Sequence, residues 1–357
     1  MKSILYISNI EVPYRTKFFN KLAEKTDLTV LYEREKSSNR DEKWTKAIKP
    51  VYKIIYLKGI NGRTESSFDF KIIKYVFSKK YNNVVIGCYN SPSQIFAMLM
   101  MRIFHKKYIL NIDGDYCFYD CGIKGKLKRF LLKGADKYFI AGNVPCNEIK
   151  KYISNKEIYE YNFSSLTAKE IMDNAKNKNI NRNNEIVVIG QYFDYKGLDI
   201  ALACAAKNKR FNYKFIGSGY RSNLLQEKIN TMNLKNVKVI PFLQSEELKG
   251  EYQNCFAVLL PSKKECWGLV INEAASFGTP IVSTYGSGAA REFLEEKYPQ
   301  FLAKPNDPDS LYDALNNLVN YDKIEEYKDY LIEKSKEYTI EENGEAFLMC
   351  ISDENKF

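Results

Sequence analysis

The sequence predicts an α/β protein built from two Rossmann-like domains, each with a doubly wound parallel sheet, that face a central cleft. Length is the first observation, because 357 residues exceed what one hydrophobic core usually organises. The second is that short strand-like runs alternate with helical patterns along the chain. The third is a break in this alternation near the middle, after which the pattern begins again. A hydrophobic fraction of 45% with 27% charged residues excludes a disordered chain.

The first series of elements is predicted over residues 1–165. Runs rich in β-branched and aromatic residues predict six strands, at Ile4–Ile7, Leu28–Tyr32, Lys53–Leu57, Val84–Gly87, Tyr108–Asn111 and Tyr138–Ala141. Between several of them, apolar residues with helical spacing predict helices at Tyr14–Glu24, Asp69–Phe77 and Pro92–Phe104. Because helices separate most of the strands, we expect an open and mostly parallel sheet.

The second series begins after a segment in which Lys and Asn dominate, residues 164–184, and we place the linker there. Its strands are predicted at Glu185–Ile189, Tyr213–Ile216, Val237–Ile240, Phe256–Leu260 and Pro280–Ser283. We therefore predict a first domain over residues 1–165 and a second over residues 184–334. A C-terminal helix at about residues 335–357 is expected to pack back on the first domain. Ligands bind at the carboxyl ends of such sheets, so the predicted cleft is the expected site.

Composition disfavours several kinds of site. The eight Cys are scattered without a C-x2-C pair, so we expect reduced thiols and a cytoplasmic protein rather than a disulfide framework or zinc ribbon. His105 is the only His, which disfavours His-based metal sites and Ser-His-Asp triads. The longest apolar stretch, Ile95–Met101, is far shorter than the ~20 residues of a membrane span, and we expect no signal peptide.

The net charge of +10 is unevenly distributed. Residues 1–160 contain 30 Lys and Arg against 16 Asp and Glu, a charge of +14, whereas the remaining residues contain 24 against 28, a charge of −4. This asymmetry predicts a first domain that faces an anionic surface or substrate. A short basic helix at residues 124–133 presents either an ordinary solvated face or a contact for an anionic membrane surface. No nucleic-acid-binding signature accompanies the charge, so we expect no nucleic-acid partner.

The segment Leu259–Pro280 predicts an anion site. A buried strand ends at Pro261, and a helix begins near Trp267. The N–H groups of Gly268 and Leu269 would have no acceptor within that helix, and Gly268 carries no side chain to block a ligand. This is the setting in which proteins bind phosphate.

Two carboxylates flank this predicted phosphate site. Glu265 precedes the helix and Glu273 lies almost two turns into it, which separates them by roughly 10 Å. Carboxylates accept hydrogen bonds from vicinal hydroxyl groups, so one on each side of a diphosphate suits a nucleotide sugar.

The same segment resembles the signature of the retaining GT-B glycosyltransferases of family 4, or glycosyltransferase group 1, of the bacterial polysaccharide-assembly type. The family pattern E-x-F-G-x-x-x-x-E-A-x-A-x-G-x-P corresponds to Glu265–Pro280, with Trp267 in place of Phe and Ser276 in place of the second Ala. The resemblance extends over residues 185–300, where Gly190-Gln191 with Lys196-Gly197 matches the diphosphate loop and Gly217-Ser218-Gly219 a G-x-G turn. Gln191 departs from the Arg that is frequent in the family, and Arg221 is a candidate substitute.

The resemblance implies roles for individual residues. Glu273 is expected to hold the ribose diol, Glu265 the hydroxyls of the donor sugar, and Lys196 the leaving diphosphate. The full predicted donor-binding set is Gly190, Gln191, Lys196, Gly217, Glu265, Trp267, Gly268, Leu269 and Glu273.

In the first domain the resemblance is looser. The stretch from Pro13 resembles the first loop and helix of polysaccharide-assembly members, so Tyr14 and Arg15 either bind the acceptor or only cap the helix. Asp113 follows a predicted strand at the rim of the cleft, near the donor sugar in relatives, and Asp115 is an acceptor-side candidate. Asp113-Gly114-Asp115 also matches D-x-D, a motif that binds a metal ion and a diphosphate. Here Lys196 and the amide groups at the predicted helix start already supply positive charge for the diphosphate. We therefore expect neither a metal nor a cofactor.

Together these features predict a retaining glycosyltransferase, with Asp113, Glu265 and Lys196 as catalytic residues. It would move a sugar from a nucleoside diphosphate sugar, UDP-linked in our expectation, to a glycan or lipid-linked saccharide in cell-surface polysaccharide synthesis. The alternatives are a UDP-sugar epimerase-like GT-B enzyme and a non-catalytic nucleotide-sugar binder. We expect a cytoplasmic protein that contacts the inner face of the cell membrane.

Overall fold

The computed structural model describes residues 1–37, 47–62, 66–87, 89–113, 122–153, 155–176, 178, 182–219 and 222–352. The chain forms two compact units, one of Met1–Ser165 with Ile340–Phe357 and the other of Leu166–Thr339. Each unit contains its own parallel sheet, which confirms the predicted α/β class with two Rossmann-like sheets.

The first unit has a seven-stranded sheet in the order β3-β2-β1-β6-β7-β8-β9, with every neighbouring pair parallel. A separate short hairpin is formed by β4 and β5. The strands are β1 (Ser3–Ser8), β2 (Asp27–Tyr32), β3 (Lys53–Tyr56), β4 (Ile60–Asn61), β5 (Ser67–Phe68), β6 (Asn83–Ile86), β7 (Ile109–Ile112), β8 (Lys137–Ala141) and β9 (Glu157–Tyr161).

Helices cover both faces of this sheet. They are α1 (Pro13–Ala23), α2 (Ile72–Val76), α3 (Pro92–Ile103), α4 (Gly122–Leu132) and α5 (Asn143–Lys150). Strands β6 to β9 follow one another across the sheet, so right-handed crossovers place α3, α4 and α5 on one face. The connection from β1 to β2 runs the opposite way, which places α1 on the other face. Helix α2 packs against α3 and therefore belongs to the first layer.

The second unit has a six-stranded parallel sheet in the order β12-β11-β10-β13-β14-β15. Its strands are β10 (Glu185–Ile189), β11 (Asn212–Ile216), β12 (Val237–Ile240), β13 (Ala257–Leu260), β14 (Ile281–Thr284) and β15 (Leu302–Ala303). Its helices are α6 (Ala168–Lys176), α7 (Leu198–Lys207), α8 (Ser222–Thr231), α9 (Ser245–Asn254), α10 (Leu269–Ser276), α11 (Gly288–Leu294), α12 (Pro308–Val319) and α13 (Ile324–Ser335). The strand order reverses direction between β10 and β13, and such a switch point opens a crevice at the carboxyl ends of the strands.

The boundaries of the units differ from those expected. The second unit begins at Leu166 rather than at residue 184, because α6 packs against α10 and α13. The predicted linker, where Lys and Asn dominate, thus contains α6, and the buried Asn174 of this helix donates its amide to Ser276 Oγ at 2.9 Å.

The last helix, α14 (Ile340–Ile351), belongs to the first unit, where it packs against α1, β8 and β9. Phe347 is fully buried there, with its ring centroid 5.2 Å from that of Phe139. In the part of the chain that the structure describes, no helix combines the length and the apolar character needed to cross a bilayer.

Candidate functional site

Two glycine-containing loops meet at the carboxyl edge of the sheet in the second unit. Gly190 follows β10 and Gly217 follows β11, and a side chain on Gly217 would overlap the carbonyl oxygen of Gly190. Gly217 also has a φ of 150°, which a residue with a side chain rarely adopts. Glycine is therefore required where the two loops touch. Gln191 is half-buried in the first of these loops.

The loop after β13 brings two predicted residues together. Lys196, in a 3₁₀ turn over Asp194–Lys196, forms an ion pair with Oε1 of Glu265. Ser262 Oγ donates to the other carboxylate oxygen at 2.7 Å, and the Glu265 N–H donates to the Gly286 carbonyl at 2.8 Å. The side chains of Lys196 and Glu265 are only 14% and 13% exposed. Solvent therefore screens this pair less than an ordinary surface ion pair.

Helix α10 begins at this loop. Its N-cap is Gly268, with a φ of 105°, and a Cβ at this position would come within 2.8 Å of Ser287 Oγ. Across the described ranges of the chain, no group accepts a hydrogen bond from the N–H of Gly268, Leu269 or Val270. These three amides and the positive end of the helix can bind an anion. The sequence indicated Gly268 and Leu269, and the structure adds Val270.

Trp267 has a different place from the one expected. Its side chain is only 3% exposed, and its indole N–H donates to Asn272 Oδ1 at 2.9 Å. The Trp267 carbonyl accepts hydrogen bonds from Ser287 Oγ and from the Ala289 N–H. The indole is therefore part of the core and fixes the start of α10, instead of presenting its ring to a donor. Arg221, the candidate for a second cation, lies outside the described residues.

Glu273 projects from the second turn of α10. Tyr252, on α9, donates its hydroxyl to Glu273 Oε2 at 2.6 Å. Burial, together with the nearby Glu273 carboxylate, raises the pKa of Tyr252 well above its usual value, so the phenol remains a donor. Sequence reasoning missed Tyr252 because no local motif marks it. Only tertiary packing brings α9 beside α10.

In the first unit, Arg15 and Asp113 form an ion pair at the carboxyl edge of the sheet. The Arg15 side chain is only 6% exposed, and its guanidinium lies over the rings of Tyr6, Phe18 and Phe163 at 5.5–5.8 Å from their centroids. Burial alone would lower the pKa of Arg15, but Asp113 together with the nearby tyrosines outweighs it, and the pKa is raised. The guanidinium thus faces Asp113, and an acceptor-binding role for Arg15 stays a prediction.

Asp113 has two further donors. Tyr161 Oη donates to Asp113 Oδ1 at 2.6 Å and Asn111 Nδ2 donates to the same oxygen at 3.0 Å. The Asp113 side chain is 29% exposed, so it is held on one side and accessible on the other. Tyr14 packs edge-on against Phe163 at 5.5 Å between ring centroids. Asp115 lies outside the described residues.

A buried carboxyl group that the sequence did not indicate lies at the end of β2. Glu33 is 1% exposed and accepts a hydrogen bond from Ser91 Oγ. Its Oε1 is buried and no described group donates to it. Burial raises the pKa of Glu33 to about 7, against the lowering effect of the Ser91 hydrogen bond.

The basic segment of residues 124–133 forms most of α4. Leu131 and Leu132 are buried in the core, whereas Leu127 and Phe130 are 47% and 46% exposed. Among the described side chains, no three or more His, Cys, Asp and Glu residues cluster closely enough to hold a metal ion.

Known proteins resemble this chain in sequence and in fold. Residues 170–338 match the family model of glycosyl transferases group 1. Over 84% of its length the chain is 24% identical to an uncharacterized glycosyltransferase of Methanocaldococcus jannaschii, of which it covers 83%. It is also 29% identical to the O-antigen chain mannosyltransferase C of Escherichia coli, over 38% of this chain and 37% of that one.

Among solved structures, Anabaena HepE in complex with UDP and glucose has a TM-score of 0.71 at 13% identity, covering 99% of this chain and 100% of that one. At this identity the likeness shows the fold alone. The matched family residues in the second unit include the loop that carries Glu265 and all of helix α10. The chain is a glycosyltransferase with the GT-B fold, and the match to the group 1 family lies in residues 170–338 of its second unit.

Proposed function

We propose that the protein transfers a sugar from a UDP-sugar to a glycan or lipid-linked saccharide, with retention at the anomeric carbon, in cell-surface polysaccharide synthesis. One observation carries the proposal: the amide groups at the start of α10 adjoin the Lys196–Glu265 pair, with Glu273 farther along the helix. This arrangement supplies donors for a diphosphate and acceptors for sugar and ribose hydroxyls. The UDP in the Anabaena HepE structure supports a uridine donor, and the O-antigen relative supports a glycan acceptor.

The diphosphate binds at the N–H groups of Gly268, Leu269 and Val270. Its negative charge attracts Lys196, which exchanges Glu265 for a phosphate oxygen. Charge increases on that oxygen as the bond to the sugar breaks, so Lys196 and the helix start stabilise the transition state more than the ground state.

Glu265, once released from Lys196, accepts hydrogen bonds from the donor sugar, and Glu273 accepts from the ribose diol. In the transfer step the bond between C1 and the phosphate oxygen breaks, and the acceptor oxygen bonds to C1 on the same face. The acceptor proton passes to the leaving phosphate. The role of Asp113 beside the reacting carbon stays a prediction.

A screen for UDP release over a panel of nucleotide sugars and saccharide acceptors tests the proposal. We expect acceptor-dependent UDP release with one donor, and a product whose mass increases by one sugar residue and whose NMR coupling constant reports retention. Glu265→Ala should abolish most turnover, whereas Glu273→Ala should chiefly raise the KM for the donor.

Other outcomes of the screen identify the alternatives. An epimerised sugar or free sugar without acceptor dependence indicates an epimerase-like enzyme, and an inverted product overturns retention. Full rates in both Glu variants would overturn the site assignment.

We also propose that catalysis needs no metal ion, because Lys196 and the helix start provide the positive charge for the diphosphate. Activity should therefore persist in EDTA, and loss of activity that Mg²⁺ or Mn²⁺ restores would contradict this. We place the enzyme at the inner face of the cell membrane, which the charge of +14 over residues 1–160 supports through attraction to anionic lipid.

A further inference from the structure

Three helices of one layer of the first unit, α2, α3 and α4, contain no acidic residues. Residues 70–112 and 122–135, which include α2, α3 and α4, contain twelve Lys and Arg and neither Asp nor Glu. Six of these lysines form no ion pair with any residue that the structure describes: Lys71, Lys74, Lys106, Lys107, Lys126 and Lys133. Their charges therefore remain available to an anionic partner.

The same layer exposes large apolar side chains. Phe70 is 66% exposed, just before α2, and Ile103 and Phe104 are each 63% exposed at the end of α3. Leu127 and Phe130 on α4 are also exposed. Water contact of this extent is unfavourable for so many neighbouring apolar groups, and such clustering is typical of an interaction surface.

Specific contacts join these side chains into one surface. The Arg102 guanidinium lies 3.8 Å from the ring centroid of Phe130 and donates a hydrogen bond to its carbonyl, which connects α3 to α4. Phe104 contacts Phe77, after α2, edge-on with 5.6 Å between centroids. We call the outer surface of α2, α3 and α4 the basic apolar face.

The β4–β5 hairpin extends this face toward the carboxyl edge of the sheet. Ile60 is 81% exposed and Phe68 is 41% exposed, with the Phe68 ring edge-on to Phe96 of α3 at 5.7 Å. The hairpin is firmly anchored, because buried Asp69 accepts hydrogen bonds from the N–H groups of Lys58 and Lys71. The apolar side chains are thus held outward by the fold.

The opposite layer of the unit, formed by α1 and α14, has another character. Helix α14 carries Glu341, Glu342 and Glu345, and Met349 is its one large apolar side chain exposed among the described residues. The basic apolar face thus exposes more large apolar side chains than α14 does, and it lacks the acidic residues of that helix.

We infer that the basic apolar face docks on the surface of an anionic lipid bilayer. The lysines contact the phosphate groups of the lipids, and Ile60, Phe70 and Phe104 enter the boundary between headgroups and acyl chains. Docking there extends the proposed function by bringing the enzyme to the membrane that would carry a lipid-linked acceptor. Membrane docking through this face does not depend on which donor or acceptor the enzyme uses.

Co-sedimentation of the full chain with phosphatidylcholine vesicles, with and without phosphatidylglycerol, tests this inference. We expect binding that needs phosphatidylglycerol and weakens as salt is raised. Each lysine at an anionic surface contributes about 1 kcal/mol, so Lys106→Glu with Lys107→Glu should weaken binding at least about tenfold. Phe104→Ser should weaken it by a similar factor through loss of apolar burial.

Matched controls lie elsewhere on the chain. Lys209→Glu with Lys235→Glu makes the same charge change on exposed lysines of the second unit, and Met349→Ser removes an apolar group as exposed as Phe104. Both controls should bind within about twofold of the wild type, and all variants should keep UDP release. Binding that ignores phosphatidylglycerol, or equal losses in variants and controls, overturns the inference. If UDP release persists in that case, the proposed function stands without it.

Discussion

Lys196 Nζ is ion-paired with Glu265 Oε1, at the loop from which helix α10 begins. Two charges that the sequence assigned to different parts of the donor therefore neutralise each other before a ligand arrives. A nucleotide sugar has to separate Lys196 from Glu265 when it binds. Its phosphate groups then pair with Lys196, and its sugar hydroxyl groups donate to Glu265. Because the two side chains are released together, recognition of the diphosphate by Lys196 is coupled to recognition of the sugar by Glu265.

Replacing Lys196 by Ala should lower kcat by about 100-fold, because the leaving diphosphate loses a preorganised cation. Lys263→Ala is the matched control, since Lys263 pairs with Asp199 at 2.9 Å on the same side of the unit but more exposed. That variant should stay within about twofold of the wild type in a UDP-release assay. Equal losses in the two variants would show that the effect is structural.

Tyr252→Phe should raise the KM for the donor about fivefold and leave kcat nearly unchanged. The variant removes only the hydrogen bond that orients Glu273, worth about 1 kcal/mol. Tyr327→Phe is the control, because Tyr327 is equally buried and donates to the Ile281 carbonyl at 2.9 Å. A change in the KM of this control as large as that of Tyr252→Phe would argue against a specific role for Tyr252.

Gly268→Ala should abolish UDP binding and lower stability. The φ of 105° disfavours a side chain, and the new methyl group would crowd Ser287 and Leu260 at the start of α10. Gly250→Ala is the contrasting variant, because a Cβ there meets no atom within 4 Å and α9 gains roughly 1 kcal/mol of helix propensity. Calorimetric titration with UDP and thermal unfolding measure the two effects. Normal UDP affinity in Gly268→Ala would mean that the diphosphate binds elsewhere.

Removing Asp113 from the Arg15–Asp113 pair should destabilise the protein more than removing Arg15. Asp113→Asn leaves the charged guanidinium buried, and we expect a loss of about 3 kcal/mol. Arg15→Met leaves a carboxylate that keeps Tyr161, Asn111 and solvent, so the loss should be smaller. Urea unfolding of both variants gives the comparison. A larger loss in Arg15→Met would contradict the assignment of Arg15 as the desolvated partner.

Glu33 should make the protein less stable as the pH rises through 4.5 to 7. Its pKa is about 7 in the folded chain against 4.5 for an ordinary Glu, so the folded state binds more protons in this window. The difference of about 2.5 units corresponds to about 3 kcal/mol. Glu33→Gln remains neutral and should unfold at a higher temperature than the wild type at pH 8, with little difference at pH 4.5. A pH-independent difference would rule out titration of Glu33 as the cause.

Some of the structure could be read from local pattern. Strands such as β2 and β8 were located because β-branched and aromatic residues form short runs, and the start of α10 was located because Gly268 follows a polar loop. Helix α6 was missed, although Thr167 and Glu170 form reciprocal hydrogen bonds at its start. The spacing of these two residues is a capping box that the sequence displays.

By itself, the sequence determined the α/β class, the parallel character of the two sheets and the chemistry of the segment that carries Glu265, because periodicity and backbone capping act between near neighbours. Only the tertiary structure decided which groups meet at the sites: Tyr252 with Glu273, and Arg15 with Asp113. Those partners lie 21 and 98 residues apart, and their contact depends on packing that no local pattern encodes. The tertiary structure also decided the exposure of the β4–β5 hairpin beside α3, because exposure depends on which surfaces the rest of the chain covers.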